Sequence, residues 1–206
     1  MALQVVKCVD LLPRMMRDIT NYNPASALFA LQDAGREFCN RSEAWFEKLT
    51  AINIVADQQE YTLSTDYVAQ FKRIKEIHIL TSDDVTNARE GMLLDPAYYK
   101  LILPNTLKFR TGFIPTTAVT GGLVVEMVFT PTMGTNELPA WLMGRWAEGI
   151  IGKAMSELLA VSNPNRAQSY LSTYNAKLGE AMVDSMDDIS PYSGSGHVIQ
   201  VQEYSP

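Results

Sequence analysis

The sequence is poor in the residues that catalysis and metal binding draw on. It holds two histidines, His78 and His197, and two cysteines, Cys8 and Cys39, in 206 residues. His78 stands in a strand-like stretch, where a surface or hydrogen-bonded residue is expected, and one histidine such as His197 makes no metal site. There is no CxxC pair, HExxH, GxSxG, Walker loop or GxGxxG after a strand. The acidic pairs Asp83-Asp84 and Asp187-Asp188 lack the alternating ligand spacing of a calcium loop. Glu43 and Glu47, one helical turn apart without a histidine partner, read as a solvated face. Both the nucleophile–base and the metal vocabularies are thin. The expectation is a protein that is not an enzyme, with no catalytic residue, no cofactor and no metal.

Charge is scarce as well. Charged residues make up 19% of the chain and the formal net charge is −6. That balance argues against a protein that wraps nucleic acid, which needs a basic face, but not against one that lets DNA slide past. The low charge fraction hints at surface covered by partners. Lys72, Arg73 and Lys75 cluster with only Phe71 as an aromatic neighbour, so they read as a solvated strand edge that discourages stray pairing. No apolar run approaches the ~20 residues of a membrane helix. Residues 1–18 are broken by Lys7, Asp10, Arg14 and Arg17 and lack a cleavage site, so synthesis in the cytoplasm is expected. Cys8 and Cys39 are then expected reduced and buried.

What the chain does have is periodicity. Val5, Val6, Val9, Leu12, Met16 and Ile19 predict a helix over 3–20, broken near Leu12 by Pro13. Asn23-Pro24 is a cap followed by a residue suited to the first helical position, and Ala27, Leu28, Leu31, Ala34 and Phe38 carry that helix to about Asn40. Residues 42–47 add a further turn with Trp45 and Phe46 inward. The pattern then becomes β-rich: a strand over 49–56, a turn at 57–59 and a returning strand over 60–63. Residues 73–80 alternate as a third strand, 81–90 are a polar loop, and Asp95-Pro96 opens a short helix or turn. Strands follow at 107–110 and, after a turn at Gly121-Gly122, at 123–129. Helical spacing returns after Pro139 in Leu142, Trp146, Ile150, Ala154 and Leu158. Asn163-Pro164 repeats the capping logic, and Ala167, Tyr170, Leu171, Tyr174, Leu178 and Met182 define the last helix.

The expected fold is therefore α+β: N- and C-terminal helices packed as a bundle, a central antiparallel β-sheet or small sandwich, and an extended C-terminal tail. The expected divisions are 1–48, 49–131, 132–187 and 188–206. In the tail, Val198, Ile199, Val201 and Tyr204 are spaced to dock on a partner as an extended segment.

One stretch resembles a known family. Ala34-Gly35-Arg36-Glu37-Phe38-Cys39-Asn40-Arg41-Ser42, then Trp45, then residues 52–63 with Val55-Ala56-Asp57-Gln58-Gln59-Glu60-Tyr61-Thr62-Leu63, resemble the head-to-tail adaptor proteins of tailed bacteriophages. Arg73-Ile74-Lys75-Glu76-Ile77 and Leu138-Pro139-Ala140-Trp141-Leu142 extend the likeness over about 23–185. Asp57 stands where that family tends to carry glycine. The resemblance implies a virion protein of the head–tail junction: a homo-oligomeric ring, commonly a dodecamer, beneath the portal protein. The ring extends the channel for genomic DNA, without sequence-specific binding, and offers a platform to tail or nozzle proteins. The alternatives are a stopper or tail-completion protein and, further off, an enzyme with a dispersed site.

Overall fold

A computed structural model describes residues 4–19, 22–80 and 91–187. The chain starts with strand β1 (Val5–Lys7), a 3-10 turn (Cys8–Leu11) and helices α1 (Leu12–Met16) and α2 (Pro24–Ser42). Strands β2 (Phe46–Lys48), β3 (Ile52–Ile54), β4 (Glu60–Thr62), β5 (Ala69–Ile79) and β6 (Met92–Leu93) follow. After a 3-10 turn at Pro96–Tyr98 come β7 (Tyr99–Ile102), β8 (Thr106–Phe109), β9 (Val119–Pro131) and β10 (Glu137–Pro139). Helices α3 (Ala140–Leu159) and α4 (Pro164–Asp187) close the described chain. Every strand pairing is antiparallel, so the molecule is α+β as expected.

The helices form where capping and periodicity place them. The Asn23 side chain accepts a hydrogen bond from Ala25 N at 2.9 Å, with Pro24 next to it in the first turn of α2. The Asn163 side chain does the same for Arg166 N at 3.2 Å. Phe38 and Trp146 both lie in the core, their rings 5.9 Å apart, and Tyr174 of α4 meets the Phe38 ring at 6.3 Å. The three long helices thus share one apolar junction. On the sheet side Trp45, Tyr67, Phe71 and Phe129 stack on one another. The apolar core runs without a break from helices to sheet.

β9 is the spine of the main sheet. It pairs with β5 along one side and with β2 and β3 along the other, and β6 pairs with the far end of β5. A second sheet has the order β4-β8-β7, and β1 with β10 makes a third.

Several expectations are corrected. The helix over 3–20 gives way to β1, because Val5–Lys7 finds backbone partners in β10, and a helix starts only at Leu12 with Pro13 in its first turn. The helical turn over 42–47 does not form. Glu43 takes a left-handed φ of 56° that ends α2, and Phe46 enters β2, half-buried, while Trp45 is buried as expected. The hairpin over 49–63 is not one. Asp57 does turn the chain, at φ 60°, but β3 joins β9 while β4 joins β8, in different sheets. The Tyr61 hydroxyl spans the gap, 3.2 Å from both N and O of Val55. Gly121-Gly122 lies inside β9 rather than before it. Gly121, at φ 63°, sits where the β3–β9 register slips, a bulge instead of a turn. In α4 the expected stripe holds through Ala167, Tyr174 and Leu178, which are buried, but it continues to Ala181 rather than to Met182, which is exposed.

Candidate interaction surface

The carboxylates and cations that sequence reasoning placed in solvent tie elements together. Glu43 pairs with Lys72 at 2.9 Å and with Arg73, joining the end of α2 to β5. Burial pushes the Glu43 carboxyl up, but hydrogen bonds from Arg73 and Lys72 outweigh it and hold it below its ordinary range. Lys75 lies over the Phe46 ring, 3.4 Å from its centroid. Glu47 takes indole N–H contacts from Trp45 at 3.3 Å and Trp141 at 3.4 Å. Glu37 accepts from Lys153 at 2.9 Å and from the Tyr174 hydroxyl at 3.1 Å, joining α2 to α3 and α4. There too burial acts upward and loses to Lys153, Tyr174 and Arg41, so the carboxyl is held low.

His78 is a hydrogen-bonded strand residue: Nε2 is 3.1 Å from the Glu76 carboxylate. Cys8 and Cys39 are free, buried thiols. Burial pushes the Cys8 thiol up to about 11 and raises Cys39 as well, so neither carries reactive thiolate. Among the described residues no group of three or more His, Cys, Asp or Glu could hold a metal ion.

What remains is surface. A groove of about 530 Å³ runs between α2 and the sheet. Its floor is the register pair Gln70 and Thr130, flanked by Phe71 and Pro131. Asp33, Arg36 and Asn40 of α2 form one wall. Leu103 and Met133 stand at its rim, 65% and 77% exposed. Asp33, Arg36 and Met133 also border a small recess that reaches Phe29, itself 62% exposed. A second apolar exposure lies at the end of α4, in Met182, Val183 and Met186. Beside it Arg145 pairs with Asp184 and covers the Trp146 ring. Trp141 is 45% exposed. Sequence reasoning missed all of these surfaces. Periodicity marks the buried stripe, whereas Leu103 and Met133 sit in turns that have no period.

The residues expected to dock, Val198, Ile199, Val201 and Tyr204, lie outside the described residues. So do His197, Asp83-Asp84, the polar loop over 81–90 and the tail over 188–206.

Comparison with known proteins supplies the decisive observation. The family described as SU10 adaptor protein matches residues 8–198. This chain belongs to the SU10 adaptor protein family. The match takes in every described element of this SU10 adaptor family member except β1, and it reaches Val198. A chain in a solved structure titled neck of empty GTA particle, computed with C6 symmetry, is similar at 16% identity. That alignment covers 77% of this chain and 84% of the other, with a TM-score of 0.26. The comparison with curated proteins finds no match. No helix among the described residues is long and apolar enough to cross a membrane.

Proposed function

We propose that this chain is a structural head-to-tail adaptor of a tailed phage and catalyses no reaction. Copies close into a ring, a dodecamer in the family it resembles, beneath the portal protein at the head–tail junction of the virion. The ring extends the channel for genomic DNA and offers tail or nozzle proteins a platform. Val198, Ile199, Val201 and Tyr204 are its docking residues for a partner within the particle. The protein is made in the host cytoplasm and joins the particle from there.

The observation that carries this reading is membership of the SU10 adaptor family over residues 8–198. The surface supports it. A head-to-tail ring needs two different faces on each copy. The described residues expose apolar side chains in several places, among them the groove rim at Leu103 and Met133 and the end of α4.

Electron microscopy of the purified protein, alone and mixed with portal-bearing heads, tests the proposal. Rings that seat on the portal vertex are the expected result. A protein that stays monomeric and binds a tail completion complex but never the portal overturns it and favours a tail-completion part.

A further inference from the structure

The groove between α2 and the sheet has the chemistry of a peptide seat. Its charges are already satisfied. Asp33 pairs with Arg36 at 2.9 Å, Glu37 with Lys153 at 2.9 Å and Lys72 with Glu43 at 2.9 Å. A phosphate or a carboxylate would therefore have to displace an existing partner to gain one here. What the groove leaves unsatisfied is neutral. Thr130 Oγ1 is buried on the floor with no hydrogen-bond partner. A buried hydroxyl without a partner is costly, and a turn of the Thr130 side chain toward the groove would let an arriving backbone amide relieve it. Gln70 and Asn40 line the same groove, and the apolar side chains of Leu103 and Met133 stand exposed at the rim.

The same chain contains a segment of matching character. Residues 189–202 include no Asp, Glu, Lys or Arg, in a chain that is 19% charged. Within them, after Val198, Ile199 and Val201 alternate with the amide side chains of Gln200 and Gln202. An extended segment of that kind offers apolar side chains to a rim and backbone amides to a floor. Residues 188–197 separate α4 from this segment and span up to ~36 Å when extended, enough to cross to a neighbouring subunit.

We propose that residues 198–202 of one copy lodge in the α2–sheet groove of a second copy, with the backbone hydrogen-bonding Thr130 and Val198, Ile199 or Val201 covering Leu103 and Met133. The direction from one copy to the next rests on the ring reading above, in which every copy both gives and receives a face. A segment of the portal or the copy's own segment are the competing occupants.

The test uses full-length chains. One variant carries Met133→Cys in the groove, and a second set carries Val198→Cys, Ile199→Cys or Val201→Cys. Met133 is mostly exposed, so its replacement leaves the core untouched, and the native thiols Cys8 and Cys39 are buried. Groove and segment variants are mixed under ring-forming conditions and treated with a short bismaleimide. A cross-linked dimer joining the two kinds of chain is expected, with its yield reduced about tenfold by Leu103→Glu. A chain carrying both cysteines is expected to give a ladder of linked copies. Cross-links confined to single chains overturn the proposal in favour of the copy's own groove. Rings visible by electron microscopy without any cross-link at the three segment positions overturn it outright. Cross-linked dimers in a preparation that never forms rings would sustain the docking and sink the ring.

Discussion

Trp146 fills the junction of the three long helices, against Phe38, with the Arg145 guanidinium 4.9 Å from its ring centroid. Helical spacing alone placed both rings inward, and that inference needed only a period, because an amphipathic helix has one face to bury. Replacing Trp146 with alanine removes a ring that is 97% buried and is expected to cost about 3–5 kcal/mol, measured by denaturant unfolding. Asp57 was legible in a different way. The resembling family tends to carry glycine there, and the structure gives the reason: φ is 60°, a conformation that a Cβ strains. Asp57→Gly is expected to leave stability unchanged or slightly raised. Asp57→Ala is expected to lower it by about 1 kcal/mol relative to the glycine variant. Equal midpoints for the two variants would contradict a strained turn.

At the scale of elements, the sequence revealed which segments are helices and strands better than it revealed their partners. Strands over 52–54 and 60–62 look like a hairpin because a turn joins them. Which sheet each enters is decided by β9 and β8, more than 40 residues further along the chain. That α3 and α4 pack together was expected, but how closely their backbones approach was hidden. A Cβ on Gly152 would come within 2.9 Å of the Tyr170 carbonyl oxygen, so α4 packs against bare backbone there. A helical glycine replaced by alanine ordinarily gains about 1 kcal/mol. Here Gly152→Ala is expected to lose about 1–3 kcal/mol instead, because the intruding methyl meets backbone rather than a flexible side chain. The ion pairs that bind α2 to its neighbours add a pH dependence. Glu37 and Glu43 have folded-state carboxyls lowered from the ordinary 4.5. A lowered folded value stabilises the fold above the unfolded pKa, and that contribution is lost as pH falls through the folded one. The melting temperature is expected to decline as pH drops below 4.5, and Glu37→Gln with Glu43→Gln to flatten that decline. An unchanged acid limb in the double variant would show that these pairs add nothing.

For the whole molecule, composition excluded more than it identified. Few charges and a net charge of −6 predict a protein that does not grip DNA. A linear duplex is expected to show no retardation by the purified protein at ~0.15 M salt in a mobility assay; a salt-sensitive shift would require a basic face. The surfaces that set assembly stayed invisible because turns carry no periodicity, and Leu103 and Met133 became neighbours only through folding. β9 has a further consequence in mechanical terms. Its thirteen residues are laced to β5 along one side and to β2 and β3 along the other. Tension entering along the strand from the Pro131 end loads these ladders in shear, so their hydrogen bonds resist together rather than peeling one at a time. The three-residue β1–β10 pair is far shorter than the β5–β9 ladder, and under a pull along the chain it would part before that ladder does.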